Sequence, residues 1–175
     1  MNNSSLDFNQ TEIQMIVFRL ANEEYAVPIT CVQEIIVTQK TTHIPKSPKF
    51  VEGIINLRGK IIPIIDGKKK FNLESNSGMG VQDSRVIVLD VNSEIIGLIV
   101  DEVSEVIHLN TKDIEKSPIE TEDDSDFIMG VGKFQDKLLI ILDPQKFLTH
   151  AETSALKSLS NITDAIQQVK QTAEV

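Results

Sequence analysis

The chain has 175 residues, about one domain's worth, with 26 Asp and Glu against 17 Lys and Arg, a net charge of −9. That surplus argues against non-specific binding to nucleic acid or to an anionic membrane, since both require clustered cations. The lone cysteine, Cys31, excludes an internal disulfide and any Cys-x-x-Cys metal or redox pair.

Met1 to Gln10 is polar and rich in Asn and Ser, without the basic-plus-apolar pattern of a secretory leader. The longest apolar runs, Ile61–Ile65 and Leu138–Leu142, fall far short of the ~20 residues needed to cross a bilayer. These features suit a soluble, cytosolic protein. Tryptophan is absent and aromatics make up 5% of the chain, so Ile, Val and Leu must supply most of the core. Between Ile13 and Leu142 the β-branched residues gather in short segments that end at Asn, Asp, Gly or Pro, which predicts an all-β fold. In chain order the predicted strands are Ile13–Leu20, Glu24–Ile29, Val32–Thr38, Ile54–Leu57 and Lys60–Ile65. A second set follows at Arg85–Val91, Ile95–Val100, Glu102–Leu109, Ile128–Phe134 and Lys137–Leu142. Tight turns are expected at Ala21-Asn22-Glu23, Val91-Asn92-Ser93 and Phe134-Gln135-Asp136.

The two sets are copies. Ile16–Ile35 lies on Ile87–Val106 without a gap, with Ile16/Ile87, Val17/Val88, Glu23/Glu94, Val32/Val103 and Glu34/Glu105 identical. Gly53–Asp66 likewise lies on Gly130–Asp143 without a gap. A period of roughly 70 residues is too long for a solenoid. It predicts a duplicated small barrel of five strands, with copies at about 13–71 and 84–148 packed together, each leaning on the other for want of core. The polar linker Asn72–Asp83, which contains Gly78-Met79-Gly80, separates the copies. After Leu142, Asp143-Pro144 resembles a helix start, and Leu156, Leu159, Ile162, Ile166 and Val169 form one helical stripe. That tail, residues 149–175, is expected to be a helix clamped across the barrels or reserved for a partner helix.

Catalytic and metal motifs are not found. His43, His108 and His150 are scattered and read as surface or turn residues. The acidic insertion Glu120–Asp126 lacks the glycine and final glutamate of a calcium loop. Lys68-Lys69-Lys70 reads as a solvated turn, Cys31 as a buried thiol, and Asp66 and Asp143 as equivalent capping residues. Neither an enzyme nor a nucleic-acid-binding barrel finds a supporting residue set. Where the copies differ, specialisation is permitted. Arg58, in a tight Arg-Gly turn, stands opposite Gln135, so the barrel itself does not require an arginine there. A guanidinium is a rigid five-donor fork suited to carboxylates. It would either stabilise its own loop, through Glu34, or meet a partner, and the two roles can coexist.

The run Val17-Phe18-Arg19-Leu20, Glu24-Tyr25-Ala26-Val27, Val32-Gln33-Glu34-Ile35 and then Gly53-Ile54-Ile55-Asn56-Leu57-Arg58-Gly59-Lys60-Ile61-Ile62-Pro63-Ile64-Ile65-Asp66 resembles the CheW family of bacterial chemotaxis coupling proteins. The second copy agrees through Gly97-Leu98-Ile99-Val100-Asp101-Glu102-Val103, and the resemblance spans residues 13–148. It implies two pseudo-symmetric five-stranded SH3-like β-barrels and a cytoplasmic scaffold without catalysis, cofactor or metal. It implies two partners, the cytoplasmic hairpin tip of a methyl-accepting chemoreceptor and the regulatory domain of the histidine kinase CheA. Membrane association would come only through the receptor complex. The receptor groove it implies comprises Ile29, Val32, Glu34, Arg58, Leu98, Val100 and Val103. After Asp66 this chain has Gly67-Lys68 where the family commonly has Leu-Arg, which leaves that turn open.

Overall fold

The computed structural model describes residues 9–73, 83–116, 127–159 and 161. The segment around Gly78-Met79-Gly80, the insertion Glu120–Asp126 and the stripe residues Ile162, Ile166 and Val169 lie outside these residues. The first copy forms β1 (Glu12–Leu20), β2 (Glu23–Pro28), β3 (Val32–Val37), β4 (Val51–Leu57) and β5 (Lys60–Asp66). A one-turn helix, α1 (Gly67–Lys70), follows. The second copy forms β6 (Arg85–Val91), β7 (Glu94–Val100), β8 (Glu102–Asn110), β9 (Ile114–Lys116), β10 (Ile128–Phe134) and β11 (Lys137–Leu142).

Sequence periodicity locates these strands closely, with two differences. Strand β4 begins at Val51 rather than Ile54, because Gly53 (φ +154°) sits in a bulge where the register slips. A glycine inside a strand marks such a bulge as readily as an end. The short β9 pairs with β10, and its counterpart in the first copy is a single bridge between Thr42 and Ile54. All three expected turns form, joining Leu20 to Glu23, Val91 to Glu94 and Phe134 to Lys137.

The pairing departs from the expectation that each copy closes its own barrel. One sheet has the order β8-β1-β2-β11-β10-β9 and the other β3-β6-β7-β5-β4. Each therefore combines the first hairpin of one copy with the later strands of the other. The equivalence is exact in register: Ile16 pairs Val27 and Val106, as Ile87 pairs Leu98 and Ile35. The parallel pairs Ile64–Gly97 and Ile141–Ala26 also correspond. The connections explain the exchange. To flank β6 from within its own copy, β8 would have to pass two strand spacings, roughly 10 Å. Asp101 alone separates β7 from β8, and the two steps from Val100 to Glu102 reach only about 7 Å. Between β2 and β3 the link is the 3₁₀ turn Ile29–Cys31. Each third strand thus leaves its own hairpin and completes the neighbouring sheet.

The exchange buries both faces of β1 and β6. Met15 and Val17 enter one barrel interior with Ile107, Leu109, Leu139 and Ile141. Val86 and Val88 enter the other with Ile55, Ile62 and Ile64. The opposite faces, Ile16, Phe18 and Leu20 of β1 and Ile87, Leu89 and Val91 of β6, meet in a larger core shared by both units. The scarce aromatics collect there: Phe18 stacks on Tyr25 at 5.9 Å, Tyr25 on Phe71 at 6.0 Å, and Phe71 contacts Phe127 at 4.8 Å and Phe147 at 5.6 Å. Elsewhere Ile, Val and Leu supply most of the core, as the composition led one to expect.

After a 3₁₀ turn at Pro144–Lys146 capped by Asp143, the chain is helical over residues 150–159. Thr149 and Glu152 form a capping box: Thr149 Oγ1 accepts from the Glu152 amide at 3.1 Å and the Glu152 carboxylate from the Thr149 amide at 3.4 Å. Leu156 and Leu159 enter the shared core, so this part of the stripe packs on the barrels. The three lysines of α1 are not a solvated run. Lys68 pairs with Asp101 at 3.1 Å, Lys69 with Glu52 at 2.6 Å and Lys70 with Glu152 at 2.6 Å. Asp66 caps α1, its Oδ1 accepting from the Lys68 and Lys69 amides.

A Cβ added at Gly53 would lie 2.4 Å from the Thr42 carbonyl oxygen, and one at Gly130 2.4 Å from that of Glu115. Backbone cannot give way as a side-chain tip can. Gly53→Ala and Gly130→Ala are each expected to lower the unfolding free energy by about 1–3 kcal/mol in chemical denaturation. The Lys69 hydrogen bond holds the Glu52 carboxyl below its ordinary value. Its contribution is therefore present above the unfolded pKa of ~4.3 and lost as the pH falls through the lower folded value. Glu52→Gln is expected to make the acid-side decline of stability shallower, as read from denaturation midpoints at successive pH values.

Candidate functional site

The β4–β5 hairpin turns in two residues, Arg58 at φ +52° and Gly59 at φ +86°. Such a loop requires the left-handed region at both positions. Asn56 braces it, its Oδ1 accepting from the Gly59 amide at 2.8 Å. This geometry aims the Arg58 side chain off the sheet, where it is 74% exposed. On β3, the register slips between Val32 and Glu34, and Glu34 presents its carboxylate to that turn. Both guanidinium nitrogens donate to it, NH1 to Oε1 and NH2 to Oε2, each at 2.7 Å. The bidentate bond, first, and the carboxylate's charge, second, raise the Arg58 pKa above its already high ordinary value. The fork is thus orientated from one side by Glu34 and open to solvent on the other. The expectation that Glu34 would hold Arg58 is met.

The other residues of the implied groove divide into two groups. Ile29, in the 3₁₀ turn, Val32, at the start of β3, and Val103, on β8, are half-buried and rest on the shared core. Each therefore keeps a solvent-facing apolar surface. Leu98 and Val100 do not belong with them, a correction to the expectation. They are 1% and 0% exposed and lie within the shared core, because β7 is central in its sheet and its alternating face points at β1 and the C-terminal helix. Their contribution is packing. The pseudo-symmetric counterpart of Ile29 is Val100, so the same fold position is open in one copy and closed in the other.

Two features escaped sequence reading. Ile35 and Val37 are exposed on β3, an edge strand, at 39% and 65%. The run Val-Gln-Glu-Ile-Ile-Val does not alternate, so nothing in it marks which residues face outward. Large apolar side chains on an exposed edge mark an interaction surface. The second feature is the Lys68–Asp101 pair, joined by the fold across the two copies. His43, His108 and His150 are all exposed, and Cys31 is buried. Among the described residues no group of His, Cys, Asp or Glu is arranged to hold a metal, and no helix is long and apolar enough to cross a membrane.

Two duplicated SH3-like units, an orientated guanidinium fork and an apolar edge define a protein-interaction module. Comparison with known proteins specifies which. The model of the CheW-like domain matches residues 14–152. The chain is 33% identical over 145 residues to the chemotaxis protein CheW of Helicobacter pylori, covering 83% of this chain and 87% of that one. It is 34% identical over 140 residues to that of Bacillus subtilis, covering 79% and 88%. The crystal structure of the scaffolding protein TtCheW from Thermoanaerobacter tengcongensis superposes with a TM-score of 0.72 at 41% identity, covering 80% of this chain and 94% of that one. The chain belongs to the CheW-like family of chemotaxis coupling scaffolds.

Burial separates packing residues from surface ones. Leu98→Ala is expected to cost about 2–5 kcal/mol in unfolding free energy. Arg58→Ala is expected to leave the denaturation midpoint at the wild-type value, since the side chain is largely solvated.

Proposed function

We propose that the protein couples a methyl-accepting chemoreceptor to the histidine kinase CheA in the cytoplasm, binding each through a different surface and catalysing nothing itself. The observation that carries this reading is the Arg58–Glu34 fork. It is solvent-facing, held by two short charge-assisted bonds, and sited where the second copy has Gln135. Ile29, Val32 and Val103 offer half-buried apolar surface resting on the shared core, Val32 on the same strand as Glu34. The hairpin tip of a chemoreceptor is helical, and a helix laid across this site would set an apolar stripe on those residues and a carboxylate against Arg58. Five residues thus form the proposed receptor surface: Ile29, Val32, Glu34, Arg58 and Val103.

A second partner needs a second face. The exposed Ile35 and Val37 on the edge of the five-stranded sheet suit contact with another small barrel, as the regulatory domain of CheA would supply. Association with the membrane would be indirect, through the receptor. Signalling that is reversible favours interfaces of modest area.

Reconstitution of the full chain with a CheA-type kinase and a receptor signalling fragment tests the reading. Receptor control over kinase activity is expected to appear only when the protein is present; unchanged kinase activity would overturn the coupling role. In pulldowns, Arg58→Glu is expected to lose the receptor fragment and keep the kinase domain, whereas Val37→Asp is expected to show the reverse. Undiminished receptor capture by Arg58→Glu would remove the fork from the surface.

A further inference from the structure

The departure Gly67-Lys68 has a structural consequence at the corner between β7 and β8. Lys68 Nζ lies 3.1 Å from Asp101 Oδ1, with both side chains largely buried, at 21% and 15% exposure. Asp101 Oδ2 accepts from the Ala21 amide at 2.8 Å, and the Asp101 amide donates to the Arg19 carbonyl at 3.0 Å. Arg19 in turn pairs with Glu102. Three separate elements are thereby tied at one point: the β1–β2 turn, the first turn of α1 and the β7–β8 corner. Gly67 permits the approach. A Cβ there would stand 2.8 Å from the Ile99 carbonyl oxygen and 3.0 Å from both methyl carbons of Leu20. Without it, α1 is seated close enough for Lys68 to reach Asp101.

The internal repeat supplies a control for what this junction does. At the equivalent place in the other unit the Lys68–Asp101 ion pair is absent, and Asp90 stands where Arg19 does. Gln145 stands where Lys68 does, Asn92 where Ala21 does, and Thr30 and Cys31 where Asp101 and Glu102 do. That junction closes through neutral groups: Gln145 Oε1 accepts from the Asn92 amide at 2.8 Å, and Asn92 Nδ2 donates to the Gln145 carbonyl at 3.0 Å. The fold therefore does not require charge at this point. The charged version sits on the corner from which β8 departs, two residues before Val103.

We propose that Lys68 and Asp101 are positioning residues that set Val103 for the receptor surface. The pair contributes no contact of its own to that surface. It fixes the corner against the β1–β2 turn and α1, so that Val103 keeps its place against the shared core on which Ile29 and Val32 also rest. This inference rests on the receptor reading given above, and its test is arranged so that the two can fail separately.

The experiment uses the full chain and the variant Lys68→Gln, which copies Gln145 and its neutral closure, with Lys68→Arg as the conservative control. Affinities for a receptor hairpin fragment and for the kinase regulatory domain are measured side by side, and methyl NMR spectra are recorded for Val103, Ile29 and Val32. Lys68→Gln is expected to weaken receptor-fragment binding about 3- to 30-fold, leave kinase-domain binding unchanged and shift the Val103 methyls, while Lys68→Arg retains wild-type affinity. Wild-type receptor affinity in Lys68→Gln, equal loss toward both partners, or unmoved Val103 methyls would each overturn the proposal. Should Lys68→Gln not fold, the same measurements on Asp101→Asn decide it, since an amide oxygen still accepts from Ala21 while the charge is gone. If the wild-type protein binds no receptor fragment, the receptor reading and the role assigned to Val103 in it fall together. The methyl shifts then decide only whether Lys68 positions the corner.

Discussion

Two strands, β1 and β6, carry the structure because each is buried on both faces. A strand's side chains alternate across the sheet, so Met15 and Val17 serve one barrel interior while Ile16, Phe18 and Leu20 serve the shared core. Val86 and Val88 serve the other interior while Ile87, Leu89 and Val91 face back toward β1. Burying each such side chain stabilises by about 1.5–3 kcal/mol, and units of this size are marginal on their own. The shared core is thus the principal support of both barrels. The exchange of β3 and β8 follows from the same constraint. The one-residue link at Asp101 is too short to cross a hairpin, and the Ile29–Cys31 link is taken up in a compact 3₁₀ turn, so each third strand completes the neighbouring sheet.

On that support, the fold's near-twofold repetition separates what the backbone needs from what function adds. Register, bulges and hairpin turns recur in both halves. Charge does not. Arg58 faces Glu34 where Gln135 stands in the other half, and Lys68 faces Asp101 where Gln145 makes a neutral closure. The same backbone is stable with either chemistry, so these differences are free to serve recognition. Separately, Ile29, Val32 and Val103 are anchored on the shared core by buried neighbours but still reach solvent. A rigid underside and an open edge suit a scaffold, which must hold its partners without reshaping itself.

The limits of sequence reading follow the reach of the interactions. Strands and turns were legible because they depend on residues within a few positions of one another, and the duplication because the same pattern recurs about 70 residues later. The Glu34–Arg58 pair was named as one of two roles open to Arg58, and the structure forms it. The burial of Leu98 and Val100 was not, because Ile, Val and Leu populate exposed and buried strands alike in this chain. Nor were the acids paired with Lys68 and Lys70, which lie far along the chain at Asp101 and Glu152. The capping box at Thr149 and Glu152 was a local signal and could have been found from its spacing. The aromatic line from Phe18 through Phe71 to Phe147 could not, since five separate segments supply it.

By itself the sequence determined the all-β class, the duplication, the hairpins and, through its resemblance, the family. These rest on local backbone preference and on pattern, both of which act along the chain. Which copy completes which sheet was decided only in three dimensions. Ile35 and Val106 present equivalent pairing edges, and no local preference distinguishes Ile16 pairing one from Ile16 pairing the other. The tertiary structure resolved that choice because the link at Asp101 is too short to do otherwise and the Ile29–Cys31 link is taken up in a 3₁₀ turn. In doing so it also selected which apolar residues are sunk in the shared core and which stay half-buried against it.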